Sequence, residues 1–118
     1  MIVRIPGSAP TRSRAVVHGG IVHAVAVSPD KVPSTYEQTR RALAAIDQAL
    51  AEAGTDKTRI LTATVYIADM AQKPAMNQAW DEWVALADPP LRACLGVALE
   101  GQDLVEILVT AALGRTDV

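Results

Sequence analysis

The chain has 118 residues, half of them hydrophobic, with a formal charge of −2 and one cysteine, Cys94. That length supports one hydrophobic core and not two, so residues 1–118 are read as a single domain, and the lone cysteine excludes an internal disulfide or a cysteine-built zinc finger. The basic residues are scattered without a stripe and no apolar run approaches the ~18 residues that span a bilayer, so neither nucleic acid nor a membrane is expected as a partner.

The opening MIVRIPGSAP lacks the apolar core of a secretory signal, and the expected compartment is the cytoplasm. Its MIVRI stretch alternates weakly and reads as a short strand closed by Pro6 and Gly7. RAVVHGGIVHAVAV follows, two β-rich runs about Gly19 and Gly20 that predict a hairpin, because glycine reaches positive φ without strain. SPDKVP is a loop. STYEQTRRALAAIDQALAEAG is the clearest helix, with Ser34 as N-cap, Glu37 completing a capping box and Gly54 as the stop. Thr39, Leu43, Ile46 and Leu50 form its buried stripe.

TRILTATVYIAD, rich in β-branched residues, predicts a strand from Arg59 to Ile67. A second helix is expected from Lys73 to Leu86, with Pro74 in its first turn and Met76, Trp80, Trp83 and Val84 on one face. Pro89 and Pro90 end it. PPLRACLGVAL then reads as a strand, EGQD as a turn and LVEILVTAAL as a last strand, and these two strands are expected to form a hairpin with Ala98 opposite Leu104. The order is α+β: a two-layer subunit with one mixed sheet and both helices on one face. The other face then needs cover. Phenylalanine is absent and alanine abundant, so the apolar area is modest, and burial between subunits would add to stability.

Arg92 is the one charge in an otherwise apolar and small-residue strand. A guanidinium cannot escape poor solvation by losing its proton, so it needs an anion, either a structural one or a ligand. Alternation puts Arg92, Cys94, Gly96 and Ala98 on one strand face, a small-residue surface beside the cation. Ala93, Leu95, Val97 and Leu99 form the other, expected to pack on the helices. Glu106 stands out likewise in the last strand. In the expected hairpin Gly96 faces Glu106, and Arg92 lies roughly 13 Å from it, too far for an ion pair within one chain. Each charge then needs a neighbouring subunit or an anionic ligand.

Other features read as structural. His18 and His23 have no carboxylate or cysteine at ligand spacing, so no metal is expected. Gly19-Gly20 is a turn and not a phosphate cradle. Cys94 has no local base to make it a nucleophile. Trp80 and Trp83 are read as core, and Asn77 stays open between a helix-surface role and a place in a site.

Taken together, YEQTRRALAAIDQALAEAG, TATVYIADM, MNQAWDEW, PPLRACLGVAL and VEI resemble the Rid (YjgF/YER057c/UK114) family over nearly the whole chain. The MNQAWDEW wording is most similar to a short bacterial branch related to YoaB. The resemblance implies a chorismate-mutase-like subunit, a homotrimer with clefts between subunits, and hydrolysis of reactive imines or enamines such as 2-aminoacrylate to a 2-keto acid and ammonia. It assigns Arg92 to the substrate carboxylate, Cys94 to the border of the site and Glu106 to the attacking water, with no cofactor. Where such deaminases carry Ser-Gly-Gln, this chain has Val25, Ala26 and Val27, and Arg12 stands near the position of a tyrosine. Arg12, Val25 and Ala26 are therefore expected as substrate-binding positions. The alternatives are a trimeric binding protein for small carboxylates without turnover and, on the family's older label, an RNA-acting translation inhibitor.

Overall fold

The computed structural model describes residues 1–114, so the last stretch of the 1–118 domain, residues 115–118, lies outside the described residues. The chain enters its sheet with β1 (Val3–Pro6), β2 (Ser13–His18) and β3 (Ile21–Val27). Gly19 and Gly20 join β2 to β3 at φ of 60° and 80°, the left-handed pair that a tight hairpin needs. The long helix α1 (Thr35–Ala53) follows, then β4 (Ile60–Ile67), α2 (Lys73–Trp83), β5 (Leu91–Gly96) and β6 (Val105–Ala112). The strands form one six-stranded sheet in the order β1-β2-β3-β6-β4-β5. Neighbours are antiparallel except for the parallel pair β4–β5. This is the expected mixed sheet with two helices.

The ends of α1 follow their residues. Ser34 Oγ accepts from the Glu37 backbone N–H at 3.1 Å, and the chain stops at Gly54, whose φ is 93°. Only half of the expected capping box forms. The Glu37 carboxylate turns along the helix to Arg40 and Arg41, 3.1 and 3.5 Å away, while the Ser34 N–H donates to Val32. The predicted stripe of Thr39, Leu43, Ile46 and Leu50 is fully buried. It shares one core with Val22 and Ala24 of β3 and Val105 and Ile107 of β6, the strands on which α1 lies. The second helix stops at Trp83, before the predicted Leu86, and Arg59 belongs to a 3-10 turn and not to β4.

The last two strands depart from the expected hairpin. The turn forms at Glu100–Asp103, where Gly101 takes φ of 56°, but β4 stands between β5 and β6 and pairs with both. The cause is the connection through α2. One helix between two strands is the crossover that a parallel pair requires, and it returns β5 to the outer edge of β4. Residues 97–104 then step across the end of β4, tied by Val97 N–H to Ile67 O and Ala68 N–H to Leu104 O, both at 3.0 Å.

A buried glutamine secures that step. Gln38 on α1 donates from Nε2 to Val32 O (2.9 Å) and Gln102 O (3.0 Å), and its Oε1 accepts from the Leu104 N–H at 2.9 Å. Gln38→Leu keeps most of the volume but leaves the part-buried Leu104 N–H without its acceptor and removes the donor to Gln102 O, while Val32 O keeps the Ser34 N–H. We expect it to lower the unfolding free energy by about 2–3 kcal/mol, measured by urea denaturation. Stability should also depend on pH through Asp56. Asp56 caps the turn before β4, accepting from Thr58 Oγ1 and N–H, and these bonds hold its carboxyl below the usual range. Its contribution is therefore present at neutral pH and fades as pH falls through the depressed value. Asp56→Ala should melt below wild type at pH 7, with the difference closing in acid.

Candidate functional site

In the register of β4 with β5, Ala63 lies beside Arg92 and Val65 beside Cys94. Ala63 and Val65 are buried in the core, so Arg92 and Cys94 share the helix side of the sheet. This reverses the expected faces. Leu91, Ala93 and Leu95 point to the side without helices and are exposed, Leu91 to 75%. The small-residue surface beside the cation is crowded at Gly96. Met70 covers Gly96 so closely that a Cβ there would sit 2.5 Å from Met70 Cγ. The half-buried Arg92 lies against α2, with Cζ 5.3 Å from the centre of the Trp80 ring and Nη1 3.8 Å from Met76 Sδ. Among the described residues no carboxylate pairs with it. Cys94 is partly buried against the core, as a small hydrophobe would be.

Glu106 occupies the opposite face. It stands beside Tyr66 on β4 and Val27 on β3, whereas Val109, three positions on, stands beside Ala63 and is buried. A cleft of about 320 Å³ opens next to Glu106, lined by Arg12, Val25, Ala26 and Val27. Val25 and Val27 flank it from β3, while the pairing of Ala26 with Ile107 turns that methyl toward the core. Arg12 reaches the cleft from a tight loop in which Gly7 N–H donates to Arg12 O at 3.2 Å. A Cβ on Gly7 would lie 2.7 Å from that oxygen, so the loop requires glycine there. Glu100 and Asp103 add carboxylates from the turn before β6. Asp103 is paired with Lys31, and the nearby Arg14 with Glu52. Arg12, Glu100 and Glu106 have no ion-pair partner among the described residues.

The six expected positions thus fall into two groups. Arg12, Val25, Ala26 and Glu106 meet at one cleft, and Arg92 with Cys94 lies on the other side of the sheet. Two strand spacings and three residues of rise separate Arg92 from Glu106, roughly 14 Å across the backbone. One chain cannot pair them, because they stand on opposite faces of the sheet and not for the reason given by the expected hairpin. Glu100 and Asp103 escaped the reading because EGQD carries a turn signature that accounts for acidic residues on its own. Trp80 and Met76 were legible as core, but nothing in their spacing tells which charge rests on them.

The face that carries Glu106 has no helix over it. Leu61, Leu91, Leu95 and Leu108 are all exposed there or at its edge, around polar positions such as His23 and the Thr62–Thr110 hydroxyl pair, 2.5 Å apart. Among the described residues nothing covers these apolar side chains.

Comparison with known proteins gives one consistent outcome. A RutC family protein of Haemophilus ducreyi is 43% identical over 116 residues, covering 98% of this chain and 99% of its own. The RutC family protein YoaB of Escherichia coli is 36% identical over 113 residues, covering 95% and 98%, in keeping with the branch that MNQAWDEW suggests. The crystal structure of a YjgF-family protein from Neisseria meningitidis superposes with a TM-score of 0.93 at 36% identity, covering 98% of each chain. The sequence profile described as Endoribonuclease L-PSP matches residues 6–113, and the chain belongs to that family, the YjgF/Rid family.

Proposed function

We propose that this protein is a cytoplasmic homotrimer that binds small carboxylate-bearing imines and hydrolyses them to 2-keto acids and ammonia at clefts between subunits. The observation that carries the reading is Arg92: a half-buried guanidinium with no carboxylate partner among the described residues. Its planar N–H donors match a carboxylate in bidentate geometry, which would fix the substrate and draw electron density from the adjacent C=N carbon. Glu106 would accept a proton as water adds to that carbon. The carbinolamine then collapses, with the C–N bond breaking and a proton passing to nitrogen, to release ammonia. An imine carbon is electrophilic from the start, so addition of water requires no further activation by a cofactor.

Because Arg92 and Glu106 occupy opposite faces of one sheet, a complete site takes Arg92 from one copy and Glu106 from another. The uncovered apolar face supports such an assembly. Val25, Ala26 and Val27 offer the cleft no side-chain donors, which favours a second reading, a binding protein for 2-keto acids without turnover. Action on RNA is disfavoured by the same cleft, where Glu100, Asp103 and Glu106 outnumber Arg12 and Arg14 and would repel a polyanion.

Ammonia release should accelerate when 2-aminoacrylate is generated in situ by a pyridoxal-phosphate dehydratase, and Arg92→Ala should abolish the acceleration. A thermal shift with 2-oxobutanoate but no accelerated release would select the binding protein instead. Shared sites give a second outcome. Arg92→Ala and Glu106→Gln chains, each inactive alone, should regain about a quarter of wild-type activity when unfolded and refolded together in equal amounts, since random mixing leaves one site in four intact. Retention of full inactivity in the mixture would mean that each site is built within one chain.

A further inference from the structure

We infer that Trp80 is a positioning residue for Arg92: its ring face holds the guanidinium in a fixed plane and leaves the N–H edge free for a ligand carboxylate. The inference rests on the reading of Arg92 as the carboxylate-binding group. A buried cation is ordinarily compensated by an acid, but an acid would occupy the same donors that the ligand needs. An aromatic face compensates differently. It attracts the cation through the ring's quadrupole and contacts the guanidinium without taking up its in-plane donors. Cζ of Arg92 lies 5.3 Å from the Trp80 ring centre, within the range of that attraction, and the one polar contact of its side chain among the described residues is the weak acceptor Met76 Sδ.

The ring is itself held in place. Trp80 is 6% exposed and packs against Trp83 at a centroid distance of 5.4 Å with the planes tilted by 54°. Trp83 Nε1 donates to Asp47 Oδ2 on α1 at 2.9 Å, and Lys57 Nζ sits 5.2 Å from the Trp83 ring while donating to Trp83 O at 2.7 Å. A chain of contacts thus runs from α1 through two indoles to the guanidinium on β5. This arrangement keeps Arg92 ordered before any ligand arrives, so the ligand need not supply the ordering.

The test varies the ring's electron density and leaves its shape nearly unchanged. The chain's two tryptophans are replaced biosynthetically with 5-fluoro-, 5,6-difluoro- and 5,6,7-trifluorotryptophan, and 2-oxobutanoate affinity is measured by calorimetry on each full-length protein. The same series in a Trp83→Phe background isolates Trp80. Affinity should fall stepwise with each fluorine, about tenfold across the series, and Trp80→Tyr should bind better than Trp80→Leu. An affinity that stays flat across the series, while Arg92→Ala loses binding, overturns the role of Trp80 and leaves that of Arg92 standing. Unchanged affinity in Arg92→Ala overturns both.

Discussion

Strand β4 pairs along both of its edges, antiparallel to β6 and parallel to β5, and the position of each charged group near the sheet follows from that double pairing. Its buried residues, Ile60, Ala63, Val65 and Ile67, face the helices, and each strand beside it must match that alternation. Arg92 falls next to Ala63 and is drawn to the helix side. Glu106 falls next to Tyr66 and is turned to the other. A parallel neighbour requires a crossover, and α2 supplies it, so the helix that makes the topology possible also delivers Met76 and Trp80 to the guanidinium.

The two groups of charges are stabilised in contrasting ways. Arg92 rests on an indole face and a thioether, soft neighbours that tolerate a permanent cation without neutralising it. The cleft at Glu106 is partly exposed and ringed by groups of both signs, several of them committed to one another, as Asp103 is to Lys31 and Arg14 to Glu52. Exposed pairs of that kind contribute little to stability. Their effect is on position: Asp103–Lys31, together with the Gln38 hydrogen bonds, holds the turn before β6 against the loop and first turns of α1, while Arg14–Glu52 ties β2 to the other end of that helix.

The bare side of the sheet gives these separated groups a means of meeting. Leucines from β4, β5 and β6 lie there or at its edge without a covering helix, and a core rich in alanine and lacking phenylalanine leaves the single subunit with modest apolar burial. In the proposed trimer, association would therefore bury the exposed leucines and bring the guanidinium of one copy to the carboxylate of the next. Stability and function would draw on the same contact, and loss of one would entail loss of the other.

Local features were legible in the amino acids because local forces decide them. Ser34 and Gly54 bound α1 as written, the glycine pair turns the β2–β3 hairpin, and the stripe from Thr39 to Leu50 is buried as its spacing requires. Family membership was legible for a related reason, since the segments that carry it extend over most of the chain. The site was legible only as a set of residue types. Arg92 and Glu106 could be recognised as charges lacking partners, but alternation within a strand says which residues share a face, never which face meets the helices or which strand lies alongside. Those choices arise from contacts between residues distant in sequence, where the α2 crossover and the burial of β4 outweigh the short turn that favoured a hairpin. Tertiary structure alone therefore decided that Arg92 lies on Trp80, that Glu100 and Asp103 stand beside Glu106, and that a whole sheet separates Arg92 from Glu106.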